Sequence, residues 1–377
     1  MNITVLGGGL VGSAIARDLS HESAFRVTVA DRDDAALRRC SAPKIITRQT
    51  DLADKTQLAD VISDADLVIG AVPGFMGFET LRQVIEAGKN VVDISFFPED
   101  PFALDDLAKE KDVTAVMDFG LAPGLGNVLM GRMNADMDHI DRFLCYVGGL
   151  PVARKKPYEY GAVFSPIDVI EEYTRPARYI EKGEEIVRPA LSDIEEITFP
   201  GVGTLEAFNT DGLRTLAVTM DAPNMKEKTM RYPGHAALMK VFRDTGFFDK
   251  KEIDVDGVSV APLDLTARLL FPAWQMEEGE EDLSVMRVII EGEKDGMCET
   301  HTFDLLDRYD PAKGVTSMAR TTGYTCAVAA RLVADGSYRR AGISPPEYLG
   351  AQQSVFDALM DGLRQRDITF SHHMKPS

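Results

Sequence analysis

Three glycines near the start of the chain have the spacing of a phosphate-binding loop. Gly7, Gly9 and Gly12 occupy the GxGxxG positions of the segment GGGLVG, directly after the apolar run Ile3–Leu6. At these positions glycine permits a tight turn, lets backbone approach a pyrophosphate and lets the next helix pack against the strand. The helix that follows offers unsatisfied N–H groups and partial positive charge to phosphates. The segment therefore predicts dinucleotide binding.

An acidic residue at the end of the second predicted strand bears on the choice of cofactor. Asp31 lies 19 residues after Gly12, where a carboxylate accepts hydrogen bonds from a ribose 2′-hydroxyl and repels a 2′-phosphate. We therefore expect NAD rather than NADP. The neighbouring Arg32 offers an opposing contact, because a guanidinium group can stack on adenine or bind a phosphate.

Backbone at the ends of further strands is expected to complete the cofactor site. Asp51 follows the third predicted strand and either lies near the adenine or caps the next helix. The glycine-rich segment Gly120–Gly126 either approaches the nicotinamide or forms a crossing between domains. The further expected cofactor contacts are Leu10, Val11, Asp51, Leu52, Ala71, Val72, Pro73, Ser95, Gly120, Leu121 and Pro123.

Short apolar runs alternate with helical patterns in the first third of the chain. The predicted strands are Ile3–Leu6, Arg26–Ala30, Lys44–Thr47, Leu67–Ala71, Val91–Ile94 and Thr114–Met117. The predicted helices between them are Leu10–Leu19, Ala35–Cys40, Lys55–Ser63 and Phe78–Ala87. This alternation predicts an α/β fold with a parallel, doubly wound sheet of the Rossmann type.

The pattern changes beyond Asn127. Longer predicted strands, Arg142–Val147 and Ser284–Glu291, are separated by charged stretches, which indicates a mixed, largely antiparallel sheet. Helical periodicity returns in Thr321–Ala334 and Ser354–Arg364, and we expect this tail to pack beside the first domain. The predicted domains are a discontinuous Rossmann domain, residues 1–126 and 315–377, and a substrate and dimerisation domain, residues 127–314.

Composition excludes several classes of function. The 41 Lys and Arg residues against 60 Asp and Glu give a formal net charge of −19, which disfavours nucleic-acid binding. The chain has no apolar run of membrane-spanning length and no signal-peptide pattern at its start, so a membrane protein is not expected. Four scattered cysteines without CxxC pairs favour a reduced, cytoplasmic protein without a metal site.

With these motifs and several others, the chain resembles the saccharopine dehydrogenase family, and within it the lysine 6-dehydrogenase-like branch. The resemblance covers nearly the whole chain and is most specific in Asn209–Arg214 (NTDGLR) and Lys228–His235 (KTMRYPGH). The other segments that carry it are Gly7–Gly12, Val92–Ser95, Gly120–Asn127 and Gly148–Pro151. The resemblance implies a Rossmann domain completed by the C-terminal tail, an inserted α/β substrate domain and a homodimer.

The chemistry that this resemblance implies is hydride transfer between a nicotinamide and the carbon of a C–N bond. In the oxidative direction an amine becomes an imine, which water then hydrolyses. The cofactor performs the redox step, so the protein must hold the carbon in place, deprotonate the amine and assist the attack of water. An amino-acid substrate also needs a cation for its α-carboxylate.

Arg214 is the leading candidate for that cation, because a guanidinium group binds both oxygens of a carboxylate. The alternative is a surface arginine that follows a β-turn. Arg231 is the next candidate, and Asp211 and Tyr232 in the same two motifs are further candidates for substrate contacts.

His235 and Asp93 are the candidate catalytic residues. Histidine titrates near neutral pH, so His235 could act as the general base; the alternative is a capping or structural hydrogen bond. Asp93 follows a predicted strand on the expected cofactor side and could receive a substrate ammonium group, or it could form a local loop hydrogen bond.

Three functions remain open from the sequence. The first is NAD-dependent oxidative deamination of the ε-amine of lysine. The second is a saccharopine reductase, whose larger substrate carries further carboxylates for which Arg154, Lys155 and Lys156 are available. The third is a regulatory NAD sensor without turnover.

Overall fold

The structure is a computed structural model that describes residues 1–277 and 279–376. The chain forms two compact units. Met1–Met137 and Met318–Thr369 make up the first unit, and Asp138–Ser317 and the C-terminal residues from Phe370 make up the second.

The first unit contains a seven-stranded parallel sheet. Its strands are β1 (Asn2–Leu6), β2 (Arg26–Asp31), β3 (Ile45–Gln49), β4 (Leu67–Gly70), β5 (Asn90–Asp93), β6 (Thr114–Val116) and β17 (Gly342–Ser344). They lie in the order β17-β6-β5-β4-β1-β2-β3, so the direction of chain progression reverses between β1 and β4. This is the topological switch point at which open α/β sheets bind ligands, and the sheet confirms the predicted Rossmann-type fold.

Helices and one 3₁₀ turn connect these strands. They are α1 (Leu10–Ser20), α2 (Asp34–Cys40), α3 (Lys55–Ile62), α4 (Gly74–Glu86), the 3₁₀ turn Pro101–Leu104, α5 (Asp105–Glu110), α6 (Leu125–Asp136), α11 (Ser317–Ala334), α12 (Pro346–Ala351) and α13 (Gln353–Arg364). Capping hydrogen bonds explain where two of these helices begin. Asp33 accepts the N–H of Ala35, and Asp54 accepts those of Thr56 and Gln57, which satisfies N–H groups without helical partners.

The second unit contains a nine-stranded mixed sheet. Its strands are β7 (His139–Pro151), β8 (Ala177–Glu181), β9 (Glu184–Arg188), β10 (Glu195–Phe199), β11 (Gly203–Asn209), β12 (Asn224–Arg231), β15 (Asp282–Lys294), β16 (Met297–Arg308) and β18 (Ser371–Pro376). The main order is β10-β11-β12-β7-β15-β16-β18, and β8 pairs with β12 and β9. The pair β12–β7 is parallel and the others are antiparallel, which confirms the predicted mixed second sheet.

A small hairpin and four helices complete this unit. The hairpin consists of β13 (Ile253–Val255) and β14 (Val258–Val260), and the helices are α7 (Pro166–Thr174), α8 (Leu216–Thr219), α9 (His235–Thr245) and α10 (Pro262–Trp274). Residues of α7, α9 and α10 form an apolar cluster around the fully buried Trp274, as expected for core packing.

The unit boundaries differ from the predicted ones in three places. The second unit continues to Ser317 rather than ending at residue 314. The first unit continues to Met137, through all of α6, rather than ending at residue 126. The last strand, β18, pairs with β16 of the second sheet, whereas we expected all of 315–377 in the first domain. The sequence SHHMKP has no apolar alternation, so its pairing by backbone hydrogen bonds leaves no periodic signal.

Within the described ranges, no helix combines the length and apolar character needed to cross a membrane.

Two glycines allow α6 and α12 to touch backbone to backbone. A Cβ atom at Gly131 would lie 2.1 Å from the carbonyl oxygen of Glu347, and one at Gly350 would lie 2.1 Å from that of Val128. Because the contacting atoms are backbone, neither helix can yield locally, and any larger residue must push the helices apart.

We predict that Gly350→Ala destabilises the protein by about 1–3 kcal/mol, the usual cost of overpacking. An alanine in an unhindered helix would instead stabilise it by up to about 1 kcal/mol, so the sign tests the close contact. Denaturant unfolding provides the measurement, and Asn134→Ala, at an exposed position of α6, is the control with an expected change within about 0.5 kcal/mol. An unfolding midpoint at or above that of the wild type would contradict the packing.

Candidate active site

The glycine loop after β1 has the close contacts that its motif predicts. Gly7 has a φ of +108°, and a Cβ there would lie 2.3 Å from the carbonyl oxygen of Ala71. A Cβ at Gly12 would lie 2.1 Å from the carbonyl oxygen of Gly7. Both positions therefore require glycine to hold the turn and to seat α1 beside it.

The start of α1 is open and has no side-chain cap. Gly9 precedes the helix, and among the residues that the structure describes no side chain accepts a hydrogen bond at this cap and no atom lies within 4 Å of where a Cβ of Gly9 would stand. Leu10 is exposed and Val11 half-buried. The N–H groups of a helix start bind anions. This open cradle therefore fits the pyrophosphate of a nicotinamide dinucleotide.

Asp31 has partners within its own loop region. One carboxylate oxygen accepts the N–H of Gly8 at 2.7 Å, and the other accepts the N–H of Asp33 at 2.8 Å. The carboxylate thus links the glycine loop to the end of β2, a structural role that spacing alone did not reveal. The adjacent Arg32 is exposed.

Asp93 is fully buried at the end of β5. Its carboxylate accepts the N–H of Ser95 at 2.7 Å, and a Cβ at Gly70 would lie 1.7 Å from a carboxylate oxygen. The chain therefore needs glycine at position 70 to make room for this carboxylate. The local loop hydrogen bond, one of the two alternatives from the sequence, is present.

The second glycine-rich segment closes on itself. The N–H of Gly120 donates to the carbonyl of Pro123, and a Cβ at Gly124, which has a φ of +141°, would lie 1.9 Å from the carbonyl oxygen of Gly120. The loop geometry thus accounts for the glycines, and Leu121 beside them is buried.

The other expected cofactor contacts lie after β3 and β4. Asp51 accepts the N–H of Ala53 at 3.1 Å, while Leu52 and Val72 are buried, and Ala71 and Pro73 are half-buried. As cofactor contacts they stay predictions.

In the second unit, Arg231 and His235 lie in one buried cluster. Arg231 donates to a carboxylate oxygen of Glu172 at 2.6 Å and to the hydroxyl of Tyr173 at 3.4 Å, and its guanidinium lies 4.9 Å from the ring centre of Tyr160. A carboxylate of the protein itself thus already pairs with Arg231, the second candidate for a substrate clamp.

The expected titration of His235 near neutral pH is wrong. One ring nitrogen, Nε2, lies 2.9 Å from the hydroxyl of Tyr173, and the other, Nδ1, lies 3.0 Å from the carbonyl oxygen of Tyr158. Burial, reinforced by the positive charge of Arg231, lowers the pKa of His235 to about 3. The ring is therefore neutral at physiological pH, with both nitrogens in structural contacts.

Asp211 and Tyr232 also have partners within the second unit. Both carboxylate oxygens of Asp211 accept from Arg178, at 2.8 and 2.9 Å. The hydroxyl of Tyr232 donates to the carbonyl of Pro151 at 2.9 Å, and Arg154 lies over its ring. The motifs NTDGLR and KTMRYPGH did not predict either of these contacts.

Arg214 is buried in the loop after β11 and has a φ of +53°, an uncommon conformation for a side-chain-bearing residue. A second guanidinium, that of the partly buried Arg175, lies near it. Burial and the positive charge of Arg214 lower the pKa of Arg175, and Glu171, which pairs with it at 3.7 Å, opposes them. Two neighbouring guanidinium groups favour an anion, and Arg175 is a candidate that the sequence analysis missed.

Glu227 on β12 is the other residue that the sequence analysis missed. It is 6% exposed, and Thr210 donates to its Oε2 at 3.3 Å. Burial, with the negative charge of Glu172 nearby, raises the pKa of Glu227 to about 8. Alternation along β12 could have placed it on the inner face, but the charged stretch MKEK looks like a solvated strand.

Within the second unit, a cavity of about 220 Å³ borders this cluster. Lys155, Lys156, Tyr158, Tyr160 and Trp274 contribute to its lining. Lys155 pairs with Glu280 at 3.1 Å. Because Tyr160 also contacts Arg231 and His235, the buried cluster and the cavity share a wall.

In the parts of the chain that the structure describes, no three His, Cys, Asp or Glu residues are grouped so that they could hold a metal ion.

Comparison with known proteins assigns a family to both units. Residues 3–116 match the family model described as the saccharopine dehydrogenase NADP binding domain. Residues 120–368 match the saccharopine dehydrogenase C-terminal domain. The two matches together cover most of the chain.

Full-length relatives give the same result. The saccharopine dehydrogenase [NADP(+), L-glutamate-forming] of Pyricularia oryzae is 25% identical, with 97% of each chain covered. The protein of the same name from Saccharomyces cerevisiae is 25% identical over 92% of this chain and 93% of its own.

A solved structure supports the fold. Apo histidine-tagged saccharopine dehydrogenase (L-Glu forming) from Saccharomyces cerevisiae superposes with a TM-score of 0.79 at 21% identity, with 99% of each chain covered.

The expected preference for NAD over NADP is wrong. The matching family model is an NADP binding domain, and the two fungal relatives are named as NADP(+) enzymes. We expected Asp31 to bind a ribose hydroxyl, whereas its two carboxylate oxygens accept backbone N–H groups.

The comparisons confirm the predicted class of enzyme, an NAD(P)-dependent oxidoreductase that acts on CH–NH donors. They do not distinguish the lysine 6-dehydrogenase-like branch. Both units, the glycine loop and the full-length relatives lead to one conclusion: the chain belongs to the saccharopine dehydrogenase family.

Proposed function

We propose that this protein is an NADP-dependent oxidoreductase that cleaves the C–N bond of saccharopine, a secondary amine that joins lysine and glutamate and carries three carboxylates. The observation that carries the proposal is the pair of neighbouring guanidinium groups in the second unit, those of the buried Arg214 and the partly buried Arg175. Lys156 at the neighbouring cavity adds positive charge for a further carboxylate, whereas Lys155 beside it is paired with Glu280 at 3.1 Å. The relatives of similar length with this activity in their names support the same substrate.

The reaction divides into a redox step and several proton transfers. NADP, when bound at the glycine loop, supplies the acceptor for a hydride from the carbon beside the substrate nitrogen. The protein must first remove a proton from the substrate ammonium group, because a protonated nitrogen has no lone pair to form the imine. It must then support the attack of water and return a proton to the leaving amine.

The second candidate is oxidative deamination of the ε-amine of lysine. What favours it is the formal net charge of −19, because a negative field attracts a cationic amine more than a tricarboxylate. A nucleotide sensor without turnover would need none of the buried cations described above.

Initial-rate assays at mildly alkaline pH test the proposed function. We expect NADPH formation with saccharopine and NADP, and much less product with NAD or with lysine. Turnover of lysine alone would support the second candidate, and absence of turnover with both compounds would contradict enzymatic function on these substrates.

Arg214→Ala should lower kcat/KM for saccharopine by roughly 30- to 5,000-fold. Truncating one partner of a buried ion pair costs about 2–5 kcal/mol of binding free energy. About 1.4 kcal/mol corresponds to a factor of ten in an equilibrium or rate constant. Arg214→Lys should retain weak activity, since a point charge attracts the carboxylate without the bidentate contact. NADP affinity should change little.

The control for this substitution is Arg268→Ala, an exposed arginine on α10 that should keep full activity. Thermal unfolding of all variants separates a loss of binding from a loss of fold. Full kcat/KM in folded Arg214→Ala would remove Arg214 from the substrate site.

Arg32→Ala should weaken NADP binding by roughly 10- to 150-fold, the usual effect of losing a hydrogen bond to a charged group, because we place the 2′-phosphate beside this exposed guanidinium. NAD, which lacks that phosphate, should bind the variant as it binds the wild type. Calorimetric titration gives both constants, and Arg26→Ala, at the opposite end of β2, is the matched control. Equal losses for the two cofactors would contradict this placement.

A further inference from the structure

A buried carboxyl group lies where the loop after β11 meets β12. Glu227 is buried, and a Cβ at Gly212 would lie only 1.2 Å from its Oε2 atom. Gly212 belongs to the same NTDGLR segment as Arg214. The glycine therefore allows the backbone of the candidate substrate loop to rest directly on this carboxyl group.

Two hydroxyl groups extend from the carboxyl along the same face of the sheet. Thr210 donates to Glu227 at 3.3 Å, and its Oγ1 lies 3.0 Å from that of Thr229. Glu227, Thr229 and Arg231 alternate on β12, so their side chains share one face. The three residues of this hydrogen-bonded series are all buried: Glu227, Thr210 and Thr229. Each hydroxyl can accept one proton while it donates another, so the series can carry a proton.

The charges around the carboxyl favour its neutral form. Glu172 on α7 and Asp211 on the loop after β11 both raise the pKa of Glu227, and Arg231 on β12 opposes them. From β7, Cys145 lies opposite Glu227 in the strand register, and burial raises the pKa of its thiol well above the ordinary value. With a pKa of about 8, Glu227 exchanges its proton in the range in which a general base and acid is most effective.

We propose that Glu227 takes the proton that the substrate amine must lose and returns it to the leaving amine, through the hydroxyl groups of Thr210 and Thr229. This inference rests on the proposed function. In the oxidative direction, ionised Glu227 gains a proton from the secondary ammonium group, and the free amine then loses a hydride to NADP and becomes a protonated imine. Water adds to the imine carbon, and one of its protons passes to the nitrogen. The C–N bond then breaks, the departing amine takes the stored proton from Glu227, and the remaining hydroxyl proton is released to solvent as the carbonyl group of the aldehyde forms.

His235, the base that the sequence suggested, cannot serve in this way. With a pKa of about 3, the ring is too weak a base to hold a proton at physiological pH. Its Nε2 atom contacts the hydroxyl of Tyr173, and its Nδ1 atom contacts the carbonyl oxygen of Tyr158. Glu227 is instead a buried group of this cluster whose pKa, raised by burial to about 8, lies near neutral pH.

The test is the pH profile of kcat/KM for saccharopine with NADP in wild type and Glu227→Gln. For the wild type we expect activity in the oxidative direction to rise with pH through about 8, because the carboxyl must be ionised to accept a proton. Glutamine has nearly the same shape but does not titrate, so the variant should lose this ionisation and about 10²- to 10⁴-fold in kcat/KM. NADP affinity should stay unchanged.

Three further variants separate proton transfer from a structural role. Glu195→Gln is the matched control, because Glu195 pairs with Lys228 on the opposite face of β12 and should keep both activity and pH profile. Thr210→Val removes the bridging hydroxyl and should lower kcat more than it changes KM. Thr210→Ser restores the hydroxyl and should restore kcat. Thermal unfolding at pH 7 checks that each variant is folded.

An infrared readout makes the inference testable without turnover. Below pH 8 the wild type should show the carbonyl stretch of a protonated carboxyl that is missing in Glu227→Gln and that disappears at higher pH. Inactivity with saccharopine and lysine would contradict the proposed function, whereas absence of this band would overturn the inference about Glu227. The inference would also be overturned if Glu227→Gln kept the kcat/KM of the wild type and the same ionisation in its pH profile.

Discussion

Burial of ionisable side chains on one face of the second sheet is the constraint on which the candidate substrate site depends. An isolated charge in a protein interior is strongly unfavourable, so each such group must find a partner or lose its charge. Arg231 has Glu172 and Asp211 has Arg178. His235 and Glu227 instead favour neutral forms. Arg231 and Asp211 are therefore held in ion pairs, and the imidazole of His235 has a structural role. The carboxyl group of Glu227 holds a proton that it can exchange.

The first unit meets a different requirement, which is to leave backbone N–H groups available to an anion. Its glycine loop does this by close packing: Gly7 and Gly12 are fixed by atoms about 2 Å from where a Cβ would stand, while Gly9 faces open space. Asp31 then ties the loop to β2 through Gly8. Steric fit and hydrogen bonds to backbone N–H groups form this site, whereas charge balance forms the other.

The sequence predicts most of the first unit, because its strands are apolar runs between helical patterns and its glycine motif is specific. Prediction fails where long-range packing decides. The strand β18 has no apolar alternation, the charged stretch Glu181–Arg188 contributes to the β8–β9 hairpin, and His235 titrates according to its burial. Glu227 was missed for the same reason, since its environment comes from Thr210 and Glu172 and not from its neighbours along the chain. Asp31 shows that correct spacing does not establish which partner a carboxylate binds.

A crystal structure of the protein with NADP and saccharopine tests most directly the claim that the buried face of the second sheet holds the substrate. We expect the pyrophosphate over Gly9 at the start of α1. In the second unit, a substrate carboxylate should contact Arg214, and the secondary amine should lie within hydrogen-bond distance of the hydroxyl of Thr210 or Thr229. Saccharopine bound without contact to Arg214 and away from both threonines would contradict the account.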